Sequence, residues 1–540
     1  MRKRSNISRR AWGNSDAIKG EGLHDARKFV FIFALFAYYS LTTSHCLAQS
    51  AQDRIALTNF NGQITGLKTI QVVPYQSDPA LGKSAQIAFD DQFTYLATPD
   101  GLFRTSRIIT PDSPITFLGF ANYLILNLYV HQNVLYVLKL GGDPRSNTLE
   151  AHSFLKSTDH GQTFIPLDEG LKWCYQGEHC QYMHVRQAFF RNNLIFVTSG
   201  GGSNFYVSKD EGKSWIVLLG FSEPNACTDA AVEMVGRKVL MGGECPLDSA
   251  YLSVGTLRED MLGWADGGFP RMVMGLKELQ NRNVQFIRHS PNTSFALTGV
   301  EGALLRSSDL GETYQYKLNY PQVNPNKYPY IHEVLDAGRY KDLFIAGGFD
   351  KSTLVGYLAY SFDHGDTWTD ISHLINTPEY SSLEVTFIRE DPSGRVLLGI
   401  AKKNEQKIVI AEVLITAPLT LLTNGNQQDA LALDSVTQLA GPFSPFNDFN
   451  FSSDGRTRIS LFATNIAPAD ENILAITVKG EDNQHNSYQL PVEWVGSTPG
   501  YPWMTQIVVR LPDAIAQAGD VSVQVAVRGS ASNNALLSIH

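Results

Sequence analysis

Four carboxylates stand in short, glycine-bearing segments of the kind that join strands: Asp143 in GGDPRSN (141–147), Glu244 in GGECPLD (242–248), Glu301 in GVEGA (299–303) and Asp350 in GGFDKST (347–353). Two such groups on one surface could serve as general acid and base on a glycosidic bond, whose oxocarbenium-like transition state needs anionic support. The same oxygens could accept sugar hydroxyls or hold a cation, and an acid in a solvated loop needs no role at all. Arg145 shares the first segment. Aromatic and imidazole side chains gather in two other stretches: Trp173, Tyr175, His179, Tyr182 and His184 in and after WCYQGEHC, and Tyr328, Tyr330 and His332 in YPYIHE. Such rings stack on sugar faces or anchor a protein partner.

What would hold these groups is a repeat. The octad Ser-x-Asp-x-Gly-x-Thr/Ser-aromatic is written four times, as STDHGQTF (157–164), SKDEGKSW (208–215), SSDLGETY (307–314) and SFDHGDTW (361–368). The starts lie 51, 99 and 54 residues apart, and the double interval contains a degenerate copy near YLSVGTLREDMLGW. A period of about 50 residues marks one supersecondary unit repeated, as in a solenoid or propeller. In each octad the Asp (159, 210, 309, 363) can accept hydrogen bonds from the turn backbone, and the Gly (161, 212, 311, 365) supplies a dihedral other residues avoid. These eight positions are therefore expected to be structural, not catalytic. The composition agrees, with 44 Gly, 24 Pro, 29 Phe, 22 Tyr and only 18% charged residues suiting many short strands joined by turns.

The octads resemble Asp-boxes, the bacterial neuraminidase repeats found in sialidases, sortilin-type receptors, xyloglucan-cleaving hydrolases and photosystem assembly factors. That resemblance implies an all-β fold with a β-propeller, and counting paired strands gives seven blades over residues 52–414. In a propeller blade the links from second to third strand, and from the last strand to the next blade, open on one face while the Asp-box lies on the other. Asp143, Arg145, Glu244, Glu301 and Asp350, with Trp173, Tyr175, His179, Tyr330 and His332, are thus expected on the binding face. A sialidase would also need an arginine cluster for the substrate carboxylate. Arg186, Arg191, Arg282 and Arg288 are available, but the Phe-Arg-Ile-Pro-like opening of sialidases is missing from the first blade. The xyloglucan enzymes usually pair two propellers across a cleft, and this chain has room for one.

Residues 1–50 read as an export signal: a basic lead MRKRSNISRR, an apolar run Phe29–Leu41 of about 13 residues, too short to span a bilayer comfortably, and small residues Ala48 and Ser50 for cleavage. Retention as an anchor, or lipidation at Cys46, are the alternatives. Four cysteines remain beyond it, an even count that suits two disulfides in an exported chain: Cys227 with Cys245 across an antiparallel pair, and Cys174 with Cys180 pinning a loop. No Cys-x-x-Cys spacing supports zinc, and no metal or other cofactor is expected. The net charge of −9 argues against a nucleic-acid or anionic-membrane partner.

After residue 414 the octads stop. Residues 415–455 read as a linker with the first strands of a C-terminal region, and 456–540 as an immunoglobulin-like β-sandwich. The stretch LPVEWVGSTPGYPWMTQIVVRLPDAIAQAGDVSVQVAVRGSASN (490–533) is similar to a C-terminal domain common on large secreted bacterial proteins, with Met504-Thr505 replacing its usual Leu-Asp. That domain implies presentation or adhesion and no chemistry. The sequence therefore predicts a seven-bladed propeller followed by an Ig-like sandwich. It is expected to be secreted to the periplasm, cell surface or medium, monomeric, and to bind a glycan or protein without cleaving it. A glycoside hydrolase of sialidase-like or xyloglucanase-like type is the alternative.

Overall fold

The computed structural model describes residues 62–540 apart from 77–84, 122, 141–147, 176–178, 201–203, 220–227, 246–248, 266–269, 280–281, 291–293, 338–339, 341, 425–427, 447–451 and 468–469. The export-signal reading of residues 1–50 lies outside it. No described helix is long and apolar enough to cross a membrane.

The chain is all-β. Among the described residues there are seven four-stranded antiparallel sheets, each given in the order of its hydrogen-bonded strands. The first is Gln86–Phe89, Phe93–Thr98, Gly101–Ser106 and Thr116–Gly119; the second Ile125–His131, Val134–Lys139, Phe154–Ser157 and Ile165–Pro166. The third is His184–Arg191, Leu194–Gly200, Asn204–Ser208 and Ile216–Leu219; the fourth Thr228–Val235, Lys238–Cys245, Ser249–Thr256 and Arg271–Met274. The fifth is Val284–His289, Ala296–Val300, Ala303–Ser307 and Gln315–Asn319; the sixth Pro329–Asp336, Phe344–Asp350, Val355–Ser361 and Thr369–Asp370. The seventh takes Ser382–Glu390, Val396–Lys402 and Lys407–Thr416 from one end of the region and Gln63–Pro74 from the other, with Gln63 opposite Thr416 and Pro74 opposite Lys407.

Apolar clusters lie between successive sheets. Leu128 and Val137 of the second pack with Tyr95 and Leu102 of the first, Val232 and Met241 of the fourth with Phe196 and Phe205 of the third, and Ile388 and Leu398 of the seventh with Ile345 and Leu358 of the sixth. One further cluster joins Phe387, Leu397 and Ile410 of the seventh sheet to Ile87 and Leu96 of the first. A second layer of coupling is ionic. Tyr129 on the first strand of the second sheet is half-buried and interacts electrostatically with Arg288, Arg389 and Glu333 of the fifth, seventh and sixth sheets. Arg389 Nη1 lies 2.6 Å from Glu333 Oε2, while the main-chain N–H of His289 donates to Glu233 Oε2 at 3.4 Å.

Each octad forms the turn between the third and fourth strands of its sheet, with nearly the same bonds in all four. Ser157 Oγ accepts from Gly161 N–H at 2.8 Å and donates to Asp159 Oδ1 at 2.7 Å, while Thr163 donates its N–H and Oγ1–H to the two Asp159 oxygens at 2.9 and 2.6 Å. Asp210 and Ser214, Asp309 and Thr313, and Asp363 and Thr367 repeat the pattern. The residue after each Asp and the Gly that follows are both left-handed: φ is 57° and 82° at His160 and Gly161, and 55° and 79° at His364 and Gly365. The turns also dock on the sheet before. His160 packs edge-on against Phe93 at 5.4 Å, its carbonyl accepts from Arg104 at 2.9 Å, and Arg104 covers Phe93; Arg306, Phe295 and His364 repeat this joint. The degenerate copy keeps only the left-handed Met261 and the closing Trp264, whose indole donates to Leu218 O.

These bonds predict the acid limb of the stability curve. The hydroxyl and N–H of Thr163 and of Ser214 hold the carboxyls of Asp159 and Asp210 down to about 2, and those of Asp309 and Asp363 are also lowered, their threonine bonds outweighing partial burial. An unfolded Asp titrates near 3.9, so the stabilisation is complete above that value and is lost as pH falls through the folded one. The octads' contribution to the urea midpoint should stay constant from about pH 7 to 5 and fall between about 4 and 2. A double Asp159→Asn, Asp210→Asn variant should start lower and fall less steeply there; an unchanged slope would refute the assignment.

The C-terminal region has two five-stranded sheets sharing one core. Thr420–Leu421, Arg458–Thr464, Tyr501–Arg510 and Val492–Thr498, with Ala432–Asp434 against the second of these, face Ser487–Leu490, Ile476–Asp482, Asp520–Val527, Ser530–Ala531 and Ala535–Ser538. Residues 415–455 contribute to that core through Leu421, Ala432 and Phe443, and Phe443 bridges in parallel to Ile539. Met504 is buried, and Thr505 donates to Glu471 at 3.0 Å, so the two positions that depart from the domain pattern are both engaged in packing.

Candidate functional site

Antiparallel alternation sets the octads, and the turns between first and second strands, at one end of each sheet; the turns between second and third strands lie at the other. At that second end the fifth and sixth sheets meet around Tyr328. The Tyr328 N–H donates to Asp350 Oδ1 at 3.1 Å, and the Glu301 carboxylate lies near enough to act electrostatically on its hydroxyl, so one tyrosine stands by two of the four acids expected on this face. Its ring lies against Gly302, where φ is +71° and an added Cβ would come within 3.0 Å of the ring, so a glycine is needed both for the dihedral and for the approach. Main-chain bonds lock the turns together: Glu301 N to Asn283 O at 3.1 Å, Gly302 N to Pro329 O at 2.8 Å and Lys351 N to Tyr328 O at 3.0 Å.

Arg282 enters this corner from the segment before the fifth sheet. It is buried, donates through Nη2 to Asn319 Oδ1 at 3.0 Å, and sits 5.6 Å from the Tyr316 ring centroid. Burial raises the pKa of Tyr328, with the Glu301 charge adding to the rise and Arg282 opposing it. The buried Oδ1 of Asn283 and Nε2 of Gln285 have no hydrogen-bond partner among the described residues. Beside the corner, Tyr330 stacks on Phe349 at 5.3 Å. His332 places Nε2 at 3.1 Å from both Glu384 Oε1 and Val385 O; burial works against its charged form, but Glu384 and Glu333 outweigh it and raise the pKa.

The two acids differ in what they can do. Asp350 is buried and its Oδ1 also accepts from Ser352 N–H at 2.9 Å, so it serves as a turn acceptor. Glu301 is half-buried. Glu244 lies in the strand Lys238–Cys245 opposite Thr228 and Ala250, in the sheet before that of Glu301. Asp143, Arg145 and Cys227 fall outside the described residues. Trp173, Cys174, Tyr175, His179 and Cys180 all belong to a two-stranded hairpin, Lys172–Tyr175 with His179–Tyr182, in which Cys174 stands opposite Cys180. Cys245, opposite Ser249, is one residue beyond the Thr228–Glu244 pair. The arginines suggested for a carboxylate clamp have other bonds: Arg191 donates to the carbonyls of Phe190 and Met234, and Arg288 to that of Ile287.

Two polar clusters carry no motif in the sequence. Asp168 is fully buried and accepts from His152 Nδ1 at 2.7 Å, Ser153 Oγ at 2.9 Å and the N–H groups of Ser153 and Phe154. Ser, His and Asp are all present, but the acid lies between the other two, whereas activating a serine needs the imidazole in the middle. Asp90, Asp91 and His160 bring three possible metal donors within 4.8 Å. Asp90 already accepts from Gln92 and Phe93 N–H on one oxygen and from Tyr95 and His160 on the other, which makes it an inter-sheet joint with no free lone pair facing a cation. The signal for both clusters is burial, which a list of residue types does not contain.

No family model and no curated protein matches the chain. Among solved structures it is similar to a chain of the mitotic checkpoint complex, at 10% identity and a TM-score of 0.41, covering 66% of this chain and 93% of that one. It is also similar to PorZ, a bacterial surface component of the type-IX secretion system of Porphyromonas gingivalis, at 9% identity and a TM-score of 0.33, covering 84% of this chain and 64% of that one. At such identities and scores neither likeness carries a function across to this chain.

Proposed function

We propose that the chain is a secreted, non-catalytic binding protein: a seven-bladed Asp-box propeller that takes a glycan or protein partner on the face opposite the octads, presented by an Ig-like sandwich. Support for the ring comes from the apolar cluster between seventh and first sheets and from the N-terminal strand that completes the seventh, since closure removes exposed edges. The observation that carries the binding role is the Tyr328 corner, where the second-to-third-strand turns of the fifth and sixth sheets, with Glu301 and Asp350, come together at the end of the sheets away from the octads and the buried Arg282 lies by the Tyr316 ring. Hydrolysis has less support. Of the acids in this corner, Asp350 is committed to main-chain N–H groups, which leaves Glu301 without a second free carboxylate among the described residues there.

The purified chain should bind on a glycan array, or capture a protein from the surface it is exported to, without turning over fluorogenic glycosides that include a sialoside. Turnover lost with Glu244→Gln or Glu301→Gln and kept in Asp363→Asn would establish a glycosidase and end the binding reading.

A further inference from the structure

We infer that Cys174 and Cys180 form a redox-sensitive cross-link that orders the hairpin Lys172–Tyr175 with His179–Tyr182, and that its reduction loosens the hairpin while the sheets stay folded. Register carries the pairing. Cys174 stands directly opposite Cys180, and the hairpin has no register shift along its length. The Met183 N–H donates to Leu171 O at 2.8 Å, one step before the Lys172–Tyr182 pair, so Leu171–Met183 is a hydrogen-bonded position and the alternation makes Cys174–Cys180 a non-hydrogen-bonded one. Antiparallel positions of that kind have Cα atoms about 4.5 Å apart, the closer of the two spacings and within the range a disulfide spans.

The hairpin needs such a bond. Among the described residues it pairs with no further strand, and a two-stranded hairpin alone is marginally stable in water. Its foot is held separately. Leu171 is fully buried with Leu138, Phe154 and Val197, its N–H donates to Asp168 O at 2.9 Å, and Ser153 Oγ lies by both Asp168 Oδ2 and Met183 O. The buried Asp168 cluster, which lacks the order a catalytic serine needs, thus anchors the residues from which the hairpin departs. A bond that closes so short a loop restrains few residues, and the foot does not depend on it, so its loss is felt in the hairpin. Trp173, Tyr175, His179 and Gln181 take register positions on one face and the two cysteines positions on the other, so the bond sets the order of the face that carries the aromatic residues. Its formation is a two-electron oxidation. The two thiols lose two protons and two electrons as the sulfur–sulfur bond forms, and a disulfide-bearing oxidant takes both up by exchange and leaves as two thiols; a dithiol reductant reverses the step.

The test begins with mass spectrometry of the full chain, purified and digested without reductant. Trypsin leaves both cysteines in the peptide 173–186, so the bond makes that peptide lighter by two hydrogens than its reduced form. Hydrogen exchange and urea unfolding then compare the wild type with the double variant Cys174→Ser, Cys180→Ser. The expected result is the lighter peptide, exchange in the hairpin faster by about tenfold or more in the double variant, and exchange in the seven sheets and the urea midpoint unchanged. Free thiols in that peptide, or either cysteine joined to Cys227 or Cys245, would overturn the pairing. A bonded wild type whose hairpin stays equally protected in the double variant would show that the bond does not order it. A double variant that fails to fold, or unfolds at a lower urea concentration, would make the bond a staple of the whole fold and overturn the local role; the mass of the wild-type peptide decides the pairing in every case.

Discussion

Arg389→Met should destabilise the seven-sheet region by about 3–5 kcal/mol, the cost of leaving a buried partner charge uncompensated. The partner is Glu333, whose side chain is 9% exposed and whose Oε2 lies 2.6 Å from Arg389 Nη1. Desolvation opposes the charge on Arg389, but Glu333 more than compensates, so the pair exists by mutual support. The loss should be felt widely, because Tyr129 of the second sheet is coupled to the same pair and to Arg288 of the fifth. Urea unfolding should show a lower midpoint at an unchanged slope, meaning that stability and not compactness has altered. The double variant Glu333→Leu, Arg389→Met should recover most of the loss, since a matched apolar pair removes the orphaned charge. A single-variant loss under about 1 kcal/mol would place this pair among solvated surface bridges and remove it as a tie between sheets.

Little of that coupling can be read from the sequence. Tyr129, Glu233, Arg288, Glu333 and Arg389 stand in unrelated local contexts across about 260 residues, and only the sheet arrangement couples them. The octads are the opposite case. Their bonds run between residues two to four apart, so local spacing contains all that is needed to foresee the turn. The strand Gln63–Pro74 shows the same contrast. It is only partly buried, its two bulges blur the alternation, and its partner lies some 350 residues away, so no local signal assigns it to the last sheet. Likewise Leu421, Ala432 and Phe443 lie in a Pro- and Asn-rich stretch without strand periodicity, yet their side chains fill the C-terminal core.

The candidate site was half legible. Glycine-flanked acids point to second-to-third-strand turns, and Glu301 and Asp350 lie at such turns, because a turn of this kind is a local event. What the types could not say is which acid is free. Both are carboxylates in a turn, and only the Tyr328 and Ser352 N–H groups distinguish the committed one. Residue type offers Arg282 only as a sialidase-type clamp; its place by Asn319 and Tyr316 depends on how the segment before the fifth sheet folds back on the links at 301 and 319.

Gly212→Ala should cost about 2–5 kcal/mol and should be the worst of the four octad glycine substitutions. All four glycines have φ near +80°, where an L side chain costs about 1–2 kcal/mol, so that part of the penalty is shared. The difference comes from what the new methyl meets. At Gly161, Gly311 and Gly365 it would strike the flexible side-chain ends of Leu118, Leu240 and Leu297 at 2.6–2.8 Å, which can rotate away. At Gly212 it would come within 2.6 Å of the Leu167 carbonyl oxygen, and the same carbonyl accepts from the Trp215 indole at 3.2 Å. Moving that backbone would loosen the docking of the third sheet on the second, adding about 1–3 kcal/mol of overpacking strain. Urea midpoints of the four Ala variants should therefore fall in two groups, Gly212→Ala alone in the lower. Equal losses at all four would mean that the dihedral sets the whole cost and that the octad glycines owe nothing to the neighbouring sheet; a smaller loss at Gly212 would show that the second and third sheets separate without penalty.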